Sequence, residues 1–321
     1  MRPRPLAAAT ASFAVAALFT AACSDAPATA MRTDVPSPSQ PVAARTVHRV
    51  PGVTGKNVEV VAVGDIACAP GDAVTATSCQ QAATAELAGD IDPDAVLALG
   101  DTQYSVGALS AYRHSYADSW GALKGITYPV PGNHEYKTSG AEGYYTYFRK
   151  RQPGAPGYYA TNLGSWRMYG LNSNCSEISC AKEIGWLVKD IKNHPRTCSL
   201  FTMHFPRYSS GEHGSDSSMR PFFRVAFRHH VDLVLAGHDH DYERFRPMNH
   251  KGQLRKRGVT AIVSGGGGRS HYAADDDVKG SAYVEDDTFG VLRLVLGPKS
   301  FDYGFRGIDG SRQDNGSRGC V

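Results

Sequence analysis

The chain has 321 residues, 41% of them hydrophobic, with a formal net charge of +3 that falls to +1 once Arg2 and Arg4 are set aside. Charge this close to neutral gives no electrostatic case for nucleic-acid binding. No internal repeat is visible, and the basic run Arg255-Lys256-Arg257 reads as a solvated hairpin tip.

Residues 1–22 read as an export signal: Arg2 and Arg4 supply the positive start, and Leu6 to Ala22 is an uncharged, alanine-rich apolar run. Thr20-Ala21-Ala22-Cys23 matches a lipoprotein cleavage box except at Thr20, where leucine is usual; cleavage after Ala28-Thr29-Ala30 is the alternative. Membrane association is therefore expected only through a lipid on Cys23. Residues 23–56, rich in Ala, Pro, Thr and Ser, are expected to be a disordered tether, and 57–321 a single catalytic domain. Removing Cys23 from the seven cysteines leaves six, an even number suited to disulfides outside the cytoplasm. Cys68 with Cys79, Cys175 with Cys180 and Cys198 with Cys320 is one of fifteen possible pairings.

Within the body, Val58–Val63 is a buried strand ending in Gly64-Asp65, and the spacing of Ala82, Ala83 and Leu87 predicts a helix over 80–87. Ala95–Leu99 is a second strand, ending in Gly100-Asp101-Thr102-Gln103-Tyr104, followed by a helix over 109–123. Ile126–Val130 is a third, ending in Gly132-Asn133-His134-Glu135. Residues 136–157 read as a surface excursion, 159–172 as paired strands, and 183–192 as a helix. Leu200–Met203 is a fourth strand, ending in His204. A helix over 220–230 leads into the apolar run Val231–Ala236, after which come Gly237 and His238-Asp239-His240. In an extended backbone His238 and His240 share a face. Antiparallel strands are expected near 259–263, 289–296 and 300–305.

Alternating strands and helices argue for an α/β sheet, whose sites assemble at the carboxyl ends of the strands. Five strands end in polar clusters that together offer two carboxylates, an amide, three imidazoles and a phenol. That is too many donors for one ion and about right for two. The mixed oxygen and nitrogen donors suit iron, zinc or manganese. Paired ions clamp both oxygens of an in-line displacement and acidify water near neutral pH, which is chemistry for phosphate ester hydrolysis.

The ordered series GDIA, GDTQY, GNHE, His204 of TMHFPRY, and GHDHDYER resembles the calcineurin-like metallophosphoesterases, and within them the purple acid phosphatases. The resemblance implies a four-layer αββα sandwich with a dinuclear metal site at the strand ends. It assigns the first metal to Asp65, Asp101, Tyr104 and His240, and the second to Asp101, Asn133, His204 and His238, with Asp101 bridging. Ala67 stands where the wider superfamily has a metal-binding histidine, and Tyr104 stands where purple phosphatases place a metal-bound tyrosine. Ionising a phenol of ordinary pKa about 10 calls for a strong Lewis acid, so Fe(III) with divalent Fe, Zn or Mn is expected. The resemblance gives His134 leaving-group protonation and His213, in the mobile-looking loop SSGEHGSD, a substrate contact. The YER tail Tyr242-Glu243-Arg244 reads as structural support. An exported phosphomonoesterase attacking small-molecule esters with metal-activated hydroxide is the expectation. A phosphodiesterase on the same metals, acting on nucleotides or glycerophosphodiesters, and a non-catalytic surface-binding lipoprotein are the rivals. Gly265–Gly268 with Arg269 lacks the following helix of a P-loop and reads as a strand-end loop. Asp275–Asp277 reads as solvated.

Overall fold

The computed structural model describes residues 49–274 and 278–321. The export segment 1–22, Cys23, most of the tether and Asp275–Asp277 lie outside the described residues. Thirteen strands follow in order: β1 (Val58–Val63), β2 (Ala95–Ala98), β3 (Thr127–Pro129), β4 (Tyr159–Leu163), β5 (Trp166–Gly170), β6 (Ser199–Thr202), β7 (Leu233–Ala236), β8 (Tyr242–Met248), β9 (Val259–Ser264), β10 (Ser281–Glu285), β11 (Gly290–Leu296), β12 (Ser300–Gly307) and β13 (Arg312–Gly319). They form two mixed sheets, ordered β13-β12-β11-β1-β2-β3 and β10-β8-β9-β7-β6-β5-β4. β1, β2 and β3 run parallel in the first sheet, and β5, β6, β7 and β9 in the second.

The layering follows from the two-residue period of a strand. Val58, Val60 and Ala62 face the core between the sheets, where Leu200, Leu233, Leu235 and Ile262 meet them. Val61 and Val63 face outward, under a second cluster with Ala85, Ala88, Tyr112, Tyr116 and Trp120. Val234 and Ala236 of β7 face outward from the other sheet, against Leu187, Phe222 and Val225 of the helices Cys180–Asn193 and Arg220–Arg228. Strands buried on both faces have little polar surface to show, which is why β2 and β7 read as unbroken apolar runs and β1 is interrupted only by Glu59, which pairs with Arg293. The result is the expected four layers, helices outside and two sheets within.

Several local expectations need correction. The helix after β1 spans Gln81–Ile91 and buries Thr84, Ala85 and Ala88, while Ala82 is exposed. The segment 109–126 is a broken helix, with a wide turn over Tyr112–Tyr116 and a tight one over Trp120–Ile126. The Tyr116 N–H is captured by Gln103 Oε1 at 3.0 Å, and a diverted N–H widens the ladder into a π turn. The supposed excursion 136–157 contains a helix, Glu142–Phe148, whose Tyr144 and Phe148 are fully buried against Tyr112 and Tyr116. Tyr144, Tyr147 and Phe148 have i, i+3, i+4 spacing, a helical stripe hidden among glycines and prolines. Strand β9 is parallel to β7 and antiparallel only to β8. At the tether's end, Val50 is 3% exposed and Val53 is hydrogen-bonded to β4, so these residues pack on the body. The run Arg255–Arg257 is exposed between β8 and β9, as expected.

All three cysteine pairs are disulfides: Cys68–Cys79, Cys175–Cys180 and Cys198–Cys320. No described helix is long and apolar enough to cross a membrane.

Candidate metal centre

Every expected donor sits just past a strand end. Asp65 follows β1, Asp101 and Tyr104 follow β2, and Asn133 follows β3; His204 follows β6, and His238 and His240 follow β7. Parallel strands side by side bring these loops to one edge of both sheets, and the seven side chains meet there. The Tyr104 hydroxyl donates to Asp65 Oδ1 at 2.8 Å and lies 3.0 Å from His240 Nε2. His204 Nε2 lies 3.0 Å from Asn133 Oδ1 and 3.2 Å from His238 Nδ1. Asp101 Oδ2 joins the two groups, 3.3 Å from the Tyr104 hydroxyl and 3.3 Å from His204 Nε2. One atom of each of Asp101, His204 and His238 falls within 4.8 Å of the others.

Three proposed ligands hold left-handed backbones: Asp65 at φ 60°, Asp101 at φ 47° and His238 at φ 77°. Each costs an L-residue on the order of 1–3 kcal/mol, a strain that concentrates at functional sites. His238 is thus not in extended backbone. The two imidazoles reach the cluster through a left-handed turn, not through strand alternation. Gly132 makes the close approach possible, because a Cβ there would stand 2.1 Å from Asp101 Oδ1.

The donor chemistry fits cations. His204 Nδ1 donates to the Leu99 carbonyl at 2.9 Å, which leaves Nε2 facing two acceptors, Asn133 Oδ1 and Asp101 Oδ2. Such a trio calls for a positive charge at its centre, either a cation beside a neutral ring or, without one, a proton on Nε2. Burial opposes a charge on His204, but Asp101 and Asp65 outweigh it and push the imidazole up to about 10. Burial likewise works to raise Asp101, yet His204 and His134 hold it below the usual carboxylate range. His238 goes the other way, down to about 2, through burial and then the charges of His204 and His213. Tyr104 is pushed well above 10 by burial and by Asp65 and Asp101, so its phenol ionises there only with a cation beside it. The other cysteine-bearing groups with metal-like spacing are the disulfides Cys68–Cys79 and Cys198–Cys320, whose sulfurs are spent.

His134 lies at the rim. Its N–H donates to Asp101 Oδ1 at 2.7 Å, its Nδ1 donates to the Ser105 carbonyl at 2.7 Å, and its Nε2 is 3.8 Å from Asp101 Oδ2. The His213 ring stacks on His238 at 4.4 Å. Its loop is more tightly held than the composition suggests. The His213 N–H donates to Asp239 Oδ1 at 2.7 Å, and Ser210 donates twice to Glu243. Tyr242 and Arg244 both bind Asp314 on β13, so they tie β8 to the other sheet, and of the YER tail only Glu243 reaches the His213 loop, through Ser210.

Sequence reading missed four contributors. Glu135, fully buried, accepts from the N–H groups of Asp101, Thr102 and Gly132, tying two ligand loops together. Ser270 bonds His240 Nδ1 at 2.8 Å, Tyr272 stacks on His240 at 4.0 Å, and Asp239 holds His213. Glu135, inside the GNHE run, and Asp239, inside GHDHDYER, stood within the quoted motifs, whereas Ser270 and Tyr272 left no trace in the sequence.

The comparisons with known proteins agree with this architecture. Purple acid phosphatase 21 of Arabidopsis thaliana is 31% identical over 118 residues, 35% of this chain and 25% of that protein. The structure of purple acid phosphatase PPD1 from yellow lupin superposes with a TM-score of 0.64 at 18% identity, over 84% of this chain and 55% of the other. GAP50, the anchor in the inner membrane complex of Plasmodium, superposes at 0.60 with 13% identity, over 83% and 90%. At such identities the superpositions speak for the fold alone, and the chain spans a quarter of the Arabidopsis protein. The family model for calcineurin-like phosphoesterases matches residues 58–242, more than half of the chain and the stretch that supplies every donor described above, so the chain belongs to the calcineurin-like phosphoesterase family.

Proposed function

We propose that this chain is an exported, metal-dependent phosphatase that hydrolyses phosphomonoesters. The observation that supports it best is the bridging position of Asp101 Oδ2, 3.3 Å from Tyr104 on one side and 3.3 Å from His204 on the other. Asp65, Asp101, Tyr104 and His240 would hold one ion and Asp101, Asn133, His204 and His238 a second. Fe(III) with divalent Fe, Zn or Mn suits a phenol beside imidazoles and carboxylates. Such a pair, when bound, supplies Lewis acidity and acidified water to a phosphate ester. Fold alone does not carry the argument, because one fold hosts unrelated roles; the intact donor set does.

The protein's own residues handle orientation and protons. His134 is steered by its Nδ1 bond to Ser105 and flanked by Lys137 Nζ, 3.1 Å from Nε2; Nε2 is the ring nitrogen that would carry a proton to the departing oxygen. His213, stacked on His238, stands ready to contact the phosphoryl group. The His134→Ala protein is expected to lose about 10²-fold in kcat on esters of poorly acidic alcohols and far less on aryl phosphates, whose leaving groups need no proton. Equal losses on both classes would remove the proton-donor role.

The three disulfides fit work outside the cytoplasm. With residues 1–22 removed and a lipid on Cys23, the following segment would tether the domain to a membrane surface. The deciding measurement pairs elemental analysis and a visible spectrum with rates on aryl phosphate monoesters and diesters. Two ions per chain, a phenolate-to-iron absorption band and faster monoester turnover are expected. Faster diester turnover would turn the reading to a phosphodiesterase, and a metal-free, inactive protein would end it.

A further inference from the structure

Arg269 is partly buried and has no carboxylate partner among the described residues. Arg167 pairs with Asp190, Arg244 with Asp314 and Arg293 with Glu59, whereas Arg151, Arg207, Arg269, Arg306 and Arg318 form no ion pair among the described residues, and what sets Arg269 apart is its place. It stands at the metal centre. Its guanidinium carbon lies 5.4 Å from the centre of the Tyr104 ring, and its charge is close enough to act on Tyr272, which stacks on His240.

The backbone that carries Arg269 is fixed from several sides. The Arg269 N–H donates to the Asp65 carbonyl at 3.0 Å, and the Cys79 N–H donates to the Arg269 carbonyl at 3.3 Å. The Gln80 N–H holds the Gly268 carbonyl at 2.8 Å, and the Thr84 hydroxyl holds that of Gly267 at 2.6 Å. A guanidinium nitrogen lies 3.6 Å from Cys68 Sγ, so the Cys68–Cys79 disulfide loop contacts both the backbone and the head of this side chain. Ser270, the next residue, bonds His240. A strapped loop thus presents a permanently charged fork with spare donors at the edge of a cluster of carboxylates and imidazoles. A guanidinium matches phosphoryl oxygens in both charge and planar geometry.

We propose that Arg269 binds the non-bridging oxygens of the substrate's phosphoryl group. This rests on the phosphoester reading above and adds the group that holds the substrate against the metal centre. The interaction is present before and during reaction, so it acts chiefly on binding.

The test uses the metal-loaded wild type, R269A and R269K. Calorimetric titration with inorganic phosphate is run beside steady-state kinetics on an aryl phosphate. R269A is expected to weaken phosphate binding by about 10- to 100-fold, the range of a charge-assisted contact, and to raise KM by more than it lowers kcat. R269K, which keeps the charge and loses the fork, recovers part of the loss. Unchanged phosphate affinity and KM in R269A would overturn the proposal while leaving the phosphatase reading intact. Weakened phosphate binding in R269A, with no ester turnover by the wild type, would uphold the anion site and overturn the phosphatase reading instead.

Discussion

Replacing Asp101 with Asn is expected to abolish phosphatase activity, by about 10³-fold or more, and to strip the protein of metal. The substitution is nearly isosteric and the position is 2% exposed, so packing is little disturbed. What changes is charge. Asp101 Oδ2 lies within 3.3 Å of both the Tyr104 hydroxyl and His204 Nε2, and its removal takes one anionic donor from each proposed ion at once. Losing a single electrostatic contact at a reacting centre costs about 10²–10³ in rate, and here two sub-sites lose theirs together. The other carboxylate oxygen accepts from the His134 N–H at 2.7 Å, so an Asn with its amide nitrogen on that side would also push His134 away. Elemental analysis of purified protein, with a thermal melt to verify folding, makes the check. A D101N protein that retained two ions and wild-type turnover would eliminate the bridging role.

The site was legible because its donors are local punctuation on long apolar signals. Val58–Val63 and Val231–Ala236 are buried on both faces, so the sequence must turn polar where the strand leaves the core, and Asp65 and His238 mark those points. Support for the donors was not legible, because it comes from far along the chain. Ser270 reaches His240 across 30 residues, and Glu135 reaches the Asp101 N–H across 34. Backbone groups at those distances leave no periodic mark. β13 was missed for a different reason. It is an edge strand, RQDNGSRG, with a single neighbour and no buried face, so it lacks the alternation that announces a strand. The left-handed turn at His238 was invisible too, since such a backbone is usually announced by glycine or asparagine.

Glu135 carries the second large prediction, because it joins two ligand loops and touches neither proposed ion. Its Oε2 accepts from Asp101 N–H at 2.9 Å and Gly132 N–H at 2.6 Å, while Oε1 accepts from Thr102 N–H at 2.9 Å and the Tyr112 hydroxyl at 2.9 Å. Glu135→Ala leaves three buried N–H groups without an acceptor. At about 1–3 kcal/mol each, partly relieved by entering water, the expected loss is about 3–5 kcal/mol. For a domain of this size that lowers Tm by roughly 6–20 °C. Glu135→Gln is the sharper probe. It keeps volume and one oxygen, but its amide NH₂ must face either the Asp101 and Gly132 donors or those of Thr102 and Tyr112. Whichever pair it faces is repelled, and the loop holding Asp101 or the loop holding Asn133 shifts. Displacing a group that orients ligands typically costs 10–100-fold in metal affinity, so metal binding by Glu135→Gln should weaken by about that factor even though no ligand is altered. Calorimetric metal titration and thermal melts of the apo and loaded forms separate the two effects. A purely structural glutamate would lower the melting of both forms equally and leave the affinity untouched, whereas a positioning glutamate lowers the loaded form more, by the binding energy lost.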